Sequence, residues 1–133
     1  MDESKEVVVT GIGSVTPYGF GTDVFLKSMR EGIDGTSLVK KINTEKLMAK
    51  KGGEISWYQA NDFFTKREQK LMDENSQYMI LAVEEARRMA GVKDFGNKTG
   101  VFIGTLTAGL PFSEIYYENA LKEKYYPRYI TQC

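Results

Sequence analysis

The chain has 133 residues, of which 41% are hydrophobic, so it can form a compact globular domain and is not expected to be disordered. Its 18 Lys and Arg residues balance 18 Asp and Glu residues, and this excludes an overall charge that would favour nucleic acid or an anionic membrane. The N-terminus is acidic and no apolar run is long enough to span a membrane, so we expect a cytoplasmic protein.

Residues 7–12 are rich in β-branched side chains and show no polar alternation. This pattern is typical of a strand buried on both faces of an α/β sheet. Several glycines and Pro17 predict a long turn after it. A short amphipathic helix should follow, with Thr22 as its cap, Arg30 near its end and Gly32 as its stop.

Residues 35–53 form a basic surface segment with five lysines and one glutamate. These are Lys40, Lys41, Lys46, Lys50, Lys51 and Glu45. The segment contains no aromatic residue and no arginine, so it predicts a solvated surface rather than a nucleic-acid site. A short edge strand is expected over residues 54–57, with Trp57 and Tyr58 as packing residues.

Thr65 and Glu68 have the spacing of a capping box, which predicts the start of a long helix that Gly91 ends. The acidic and amide cluster at residues 73–75 is a candidate break in that helix. Four carboxylates at helical spacing are expected to face solvent. They are Glu84, Glu85, Glu114 and Glu118.

Residues 100–104 predict a second buried strand, residues 105–109 a flexible turn, and residues 113–122 a helix. The expected order is strand, helix, helix, strand, helix. No internal repeat or low-complexity linker indicates a domain boundary inside the chain.

The glycine-rich turn after the first predicted strand has more than one chemical interpretation. A dinucleotide site requires Gly-x-Gly-x-x-Gly directly before a helix, but Thr16 stands where the third glycine would be. A phosphate-binding Walker loop requires Gly-Lys-Ser/Thr, which the chain lacks. A tight structural turn without a ligand is therefore favoured.

Catalytic side chains are scarce. The chain has no histidine, and its single cysteine is Cys133 at the last position. Neither a Cys-His pair nor a common zinc-ligand spacing can be built from these residues. We therefore assign no catalytic residue, no metal site and no cofactor.

Four ordered motifs resemble the β-ketoacyl-acyl-carrier-protein synthases, the condensing enzymes of fatty acid and polyketide assembly. They are Val-Val-Val-Thr-Gly-Ile-Gly-Ser-Val-Thr-Pro-Tyr-Gly at 7–19, Asp-Gly-Thr-Ser-Leu at 34–38, Thr-Lys-Arg-Glu-Gln-Lys-Leu-Met-Asp at 65–73, and Gly-Val-Phe-Ile-Gly-Thr at 100–105, continuing to the turn at 109–110. Together they span almost the whole chain.

The resemblance implies an α/β chain that is part of the N-terminal half of a thiolase-like α-β-α-β-α layered fold, with residues 1–133 as one incomplete segment of the family domain. It also implies decarboxylative condensation of an acyl thioester with malonyl carrier protein. The family uses a cysteine, two histidines and a lysine for this reaction. No residue of this chain is assigned to any of these roles, because Cys133 comes too early in the chain to match the nucleophile.

The positions carried over from the family are peripheral. Arg67 and Lys70 match basic helix positions that dock the acidic acyl carrier protein, and Lys124 matches another, whereas Leu71 stands where the family is often basic. Thr107 matches a residue that gates the acyl pocket and is often bulkier and apolar. Solvated basic residues with no partner are the alternative interpretation of the docking positions.

We therefore expect the N-terminal part of a ketosynthase that is not catalytic by itself. Its expected partners are acyl carrier protein and either a second copy or a complementing ketosynthase chain, with no nucleic acid and no membrane. One alternative is a non-catalytic partner, similar to a chain-length factor or to a carrier-binding module. Another is the front of a relative that decarboxylates malonyl carrier protein without condensing it.

Overall fold

The structure is a computed structural model that describes residues 6–106 and 109–122. The chain divides into two compact units. The first unit comprises Met1–Gln59 and Met79–Phe95, and the second comprises Ala60–Tyr78 and Gly96–Cys133. Each unit is described below by itself.

The first unit begins with a tight hairpin in the glycine-rich turn. Strand β1, Val15–Thr16, pairs antiparallel with β2, Gly19–Phe20, with Val15 opposite Phe20. Helix α1, Thr22–Arg30, follows and ends where Gly32 adopts a φ of 65°. This left-handed conformation suits glycine, and the predicted end of the helix is confirmed.

A second hairpin follows in the same unit. Strand β3, Ser37–Leu38, pairs antiparallel with β4, Lys51–Gly52. The predicted edge strand at residues 54–57 was wrong, because the strand lies earlier and the Glu54 side chain is used as an acceptor for loop amides. Tyr58 is buried and the indole Nε1 of Trp57 donates to the Thr16 carbonyl at 2.7 Å, so both are packing residues as predicted.

Helix α3 is Glu74–Met89, and its residues from 79 onward belong to the first unit. The glycine-rich turn lies directly on it, since a Cβ built on Gly11 would overlap the Ala86 carbonyl and one on Gly13 would overlap the Ala82 carbonyl. No side chain larger than hydrogen fits at either position. The glycines therefore serve a close backbone approach, as the structural interpretation of the turn predicts.

The Glu85 carboxylate on α3 fastens this turn to the start of α1. Its Oε2 accepts the N–H of Ser14 at 2.8 Å, and its Oε1 accepts the N–H of Thr22 at 2.6 Å. The N-cap residue of α1 is Gly21, which has no side chain to accept a bond. Glu85 therefore provides the acceptor that a capping side chain usually supplies. The predictions that Thr22 caps the helix and that Glu85 faces solvent were wrong.

The second unit is mainly helical. A 3-10 turn at Ala60–Asp62 precedes α2, Lys66–Gln69, and α4 is Leu110–Leu121. The first residues of α3 also belong to this unit. A break in the long helix is confirmed, but it lies at residues 70–73 rather than 73–75, since α3 already begins at Glu74.

Two predicted strands are not strands in the structure. Residues 7–12 and 100–104 form no ladder with any described residue. Val7 and Val9 are 95% and 81% exposed, and Phe102 is 97% exposed. A strand requires a neighbour that pairs with its backbone groups, and the described part of the chain supplies none to these segments. The described chain is α/β in content, with small two-stranded sheets.

Replacement of Glu85 by Ala should destabilise the first unit by about 1–3 kcal/mol, because two backbone N–H groups lose a charged acceptor. Chemical denaturation followed by circular dichroism measures this effect. Glu114→Ala, at an exposed position of α4, is the matched control. Equal denaturation midpoints for the two variants would contradict the role given to Glu85.

Candidate functional site

The candidate site is the surface around α2, where the docking residues were predicted. The helix starts with the predicted capping box: Thr65 Oγ1 accepts the N–H of Glu68 at 3.3 Å, and Glu68 Oε2 accepts the N–H of Thr65 at 2.8 Å. Glu68 Oε2 also accepts a bond from the Thr65 hydroxyl at 2.7 Å. These bonds, the hydroxyl bond foremost, lower the pKa of Glu68, so it caps the helix as a carboxylate.

The Gln69 side chain connects the last residue of this short helix to residues that precede it. Its side-chain Nε2 donates to the Phe64 carbonyl at 2.7 Å and to Asn61 Oδ1 at 3.1 Å. A four-residue helix is too short to be stable by itself, so these tertiary bonds and the cap define its geometry. The polar residues Thr65, Glu68 and Gln69 therefore fix the backbone that carries the basic residues.

The basic residues of α2 point to solvent. Arg67 and Lys70 are exposed and lie three positions apart, which places them on one helical face, and Lys66 is exposed beside them. Among the described residues, no carboxylate forms an ion pair with Arg67 or Lys70. Both predicted docking residues are therefore available cations on a fixed helix.

The arginines at the end of α3 differ from Arg67 of α2 because they form ion pairs. Arg87 Nε lies 2.7 Å from Glu84 Oε2, and Arg88 Nε lies 2.9 Å from Glu84 Oε1. Hydrogen bonds from Arg87, and then from Arg88, lower the pKa of Glu84 to about 2. Glu84 was predicted to face solvent, and 36% of its side chain is exposed, but it also pairs with both arginines. The charge of this second basic cluster is thus partly neutralised within the chain.

A buried carboxylate, Asp73, follows α2 and joins two helix starts of the second unit. Its Oδ1 accepts the N–H of Ser76 at 2.8 Å near the start of α3, and its Oδ2 accepts the N–H of Gly109 at 2.9 Å before α4. Burial alone would raise the pKa of Asp73, but the bonds from Ser76 and Gly109 outweigh it and the pKa is lowered. Asp73 therefore anchors the segment that follows α2.

Sequence reasoning missed Asp73 and Glu85. Asp73 has a local signal, because an aspartate three residues before Ser76 is a preferred helix cap. Its second partner, Gly109, lies 36 positions away and no spacing rule points to it. Glu85 has no local signal, since both of its amide partners are more than 60 residues distant in sequence.

Three predicted positions lie outside the described residues: the gate residue Thr107, the third docking residue Lys124, and Cys133. Arg67 and Lys70 are described: Arg67 lies in α2 and Lys70 is the residue that caps its C-terminal end. The described ranges hold no cluster of three side chains that could bind a metal ion. No helix within them is long and apolar enough to cross a membrane.

An apolar groove of about 220 Å³ lies in the first unit, against the C-terminal part of α3. Arg87 lines it, but its guanidinium donates to the Val92 carbonyl at 2.6 Å and to Glu84, so it is not a free receptor for an anion. The groove therefore offers apolar contact rather than catalytic chemistry. The basic face of α2 is the better candidate for function.

Comparisons with known proteins give the family of this chain. The family described as "Beta-ketoacyl synthase, N-terminal domain" matches residues 4–132. The 3-oxoacyl-[acyl-carrier-protein] synthase 2 of Staphylococcus aureus (strain COL) is 28% identical over 124 residues, which are 91% of this chain and 30% of the relative. The Synechocystis protein of the same name is 30% identical over 115 residues, which are 84% of this chain and 28% of the relative.

The chain belongs to the β-ketoacyl synthase N-terminal domain family, because the family match covers nearly all of it. This confirms the resemblance stated from the four sequence motifs. The chain spans about 30% of the length of the curated relatives it matches.

Replacement of Asp73 by Asn should lower the free energy of unfolding by about 1–3 kcal/mol at pH 7, since an amide nitrogen would face one of the two N–H donors. A carboxylate with a lowered folded-state pKa stabilises the fold above its ordinary value of 3.8 and loses that effect as the pH falls. The difference between the wild type and Asp73→Asn should therefore shrink below about pH 4. Denaturation midpoints between pH 3 and 7 measure it, with exposed Asp94→Asn as the control. A difference that stays constant with pH would exclude this role.

Proposed function

We propose that this chain is the N-terminal part of a β-ketoacyl-acyl-carrier-protein synthase that acts in fatty acid or polyketide synthesis. The observation that carries the proposal is the family match over residues 4–132. The relatives are named as 3-oxoacyl-acyl-carrier-protein synthases, which supports acyl carrier protein as a partner. A thiolase-like layered arrangement is part of the proposal, and the α/β content of the described chain is compatible with it.

The proposed reaction has two chemical steps. An acyl group first moves from carrier protein to an enzyme cysteine, which forms a new thioester and releases the carrier thiol. Malonyl carrier protein then loses CO₂, and the carbanion attacks the acyl thioester to form 3-oxoacyl carrier protein and free the cysteine. An enzyme contributes by stabilising that carbanion and the oxyanion that follows it.

This chain is proposed to take no direct part in those bond changes. It has no histidine to promote the decarboxylation. We propose that the catalytic cysteine, histidines and lysine are supplied by a region outside these 133 residues.

Carrier docking is the function proposed for the described surface. Arg67 and Lys70 are exposed, lack a described ion-pair partner and stand on a helix fixed by its capping box. Such charges accelerate the association of an acidic protein and orient it before short-range contacts form. Lys124 is proposed as a third docking residue from its match to the family pattern.

Specificity is proposed to depend in part on Thr107. Its side chain is shorter and more polar than the apolar residue that the family often has at the pocket gate, so the mouth of the acyl pocket would differ. Gly109, two positions later, is fixed by the Asp73 carboxylate.

We also propose a cytoplasmic location and assembly as a homodimer or with a complementing ketosynthase chain.

The double variant Arg67→Glu/Lys70→Glu should slow association with acyl carrier protein about tenfold at low ionic strength, because it reverses the charge that steers the acidic partner. Surface plasmon resonance with the native polypeptide containing this sequence measures the rate constants. The wild-type rate should fall as salt is added, since screening shortens the range of the attraction.

The matched control is Lys93→Glu/Lys98→Glu, which reverses two exposed positive charges elsewhere in the chain. It should retain most of the wild-type association rate. Equal losses in both double variants would show that only net charge matters, and an unchanged rate in Arg67→Glu/Lys70→Glu would remove the docking role from α2.

A further inference from the structure

Another basic surface, distinct from α2 and from the arginines of α3, lies in the loop between β3 and β4 of the first unit. We call residues 39–50 the lysine loop. It is closed at its base by a bond from the Val39 N–H to the Lys50 carbonyl at 3.0 Å. Four lysines and one glutamate lie in it, namely Lys40, Lys41, Lys46, Lys50 and Glu45.

The lysine loop has a defined backbone. The Glu54 carboxylate accepts the N–H of Lys40 at 3.1 Å and that of Lys41 at 2.8 Å. Further along, Asn43 Oδ1 accepts the N–H of Glu45 at 2.9 Å, and the Leu47 N–H donates to the Thr44 carbonyl at 3.0 Å. Because these bonds order the loop before a partner arrives, binding through it costs less conformational entropy.

Cationic and apolar side chains are exposed together on this loop. Lys40, Lys46 and Lys50 are exposed and form no ion pair within the described ranges. Met48 is fully exposed, and Ile42 is 59% exposed. Scattered lysines require no explanation, but an ordered loop that exposes Met48 and Ile42 beside unpaired cations can combine apolar contact with charge complementarity.

We propose that the lysine loop is a second docking element for an acidic protein, the acyl carrier protein of the proposed function, on which this inference rests. The unpaired lysines complement an acidic surface, and Met48 supplies a flexible, polarizable contact for the apolar side chains of a protein partner. The loop contributes to carrier binding independently of Arg67 and Lys70.

The composition of the loop favours a protein over other anionic partners. Residues 38–54 contain no aromatic residue and no arginine. Single-stranded nucleic acids are bound largely by aromatic stacking, and phosphates by the arginine fork. Membrane interfaces favour Trp and Tyr anchors, which the loop also lacks.

The test compares three double variants of the native polypeptide for binding to acyl carrier protein. Lys46→Glu/Lys50→Glu should slow association about threefold to tenfold at low ionic strength, because it reverses steering charges. Arg67→Glu/Lys70→Glu reports the docking role of α2, and Lys93→Glu/Lys98→Glu is the control for net charge. Circular dichroism of each variant verifies that the fold is retained.

The outcomes separate the two proposals. A loss in the loop variant beyond that of the control supports the second docking element. A loop variant that behaves as the control, while Arg67→Glu/Lys70→Glu loses binding, overturns this inference and leaves the proposed function intact. Absence of carrier binding by the wild-type polypeptide overturns both.

Binding to lipid vesicles tests whether a membrane surface is the partner of the loop instead. The inference is overturned if the wild type binds phosphatidylglycerol vesicles through Lys46 and Lys50 while carrier binding is unchanged in Lys46→Glu/Lys50→Glu. That result would assign the loop to lipid.

Met48→Ser tests the apolar contact separately. It should raise the carrier dissociation rate about threefold with little change in association, since short-range contacts mainly set dissociation. An unchanged dissociation rate in Met48→Ser would exclude the apolar contact.

Discussion

The Glu85 carboxylate is the constraint on which the first unit depends. It binds the N–H groups of Ser14 and Thr22, so one side chain holds both the glycine-rich turn and the first turn of α1 against α3. Gly11 and Gly13 permit the close approach that this geometry requires. Asp73 has the corresponding role in the second unit, where it joins the starts of α3 and α4. In each unit a carboxylate thus accepts a backbone N–H group that lies far away in sequence.

Local structure could be predicted from the sequence because its causes are local. The capping box of Thr65 and Glu68, the break before α3 and the stop of α1 at Gly32 each depend on residues within one or two turns. The strands predicted at residues 7–12 and 100–104 are absent from the structure, because a strand also depends on distant partners. Their apolar side chains are typical of a strand that is covered on both faces, and no described residue covers them.

The candidate site could be predicted only in part. The family resemblance pointed to Arg67 and Lys70, and the structure shows them exposed on a fixed helix. Asp73, which follows α2, escaped prediction as an anchor because its partner Gly109 lies 36 positions away in sequence. The five lysines of residues 40–51 suggested only a solvated face. Backbone bonds to Glu54 give that segment a defined conformation, which composition cannot reveal.

The central claim is that this chain is part of a condensing enzyme and leaves the chemistry to residues outside it. The most direct test incubates acyl and malonyl carrier protein with the native polypeptide, and separately with the 133-residue chain, and detects carrier-bound 3-oxoacyl product by mass spectrometry. The account predicts product with the native polypeptide and none with the 133 residues alone. Product formed by the 133 residues would contradict it, and so would a native polypeptide that binds carrier protein but forms no carbon-carbon bond.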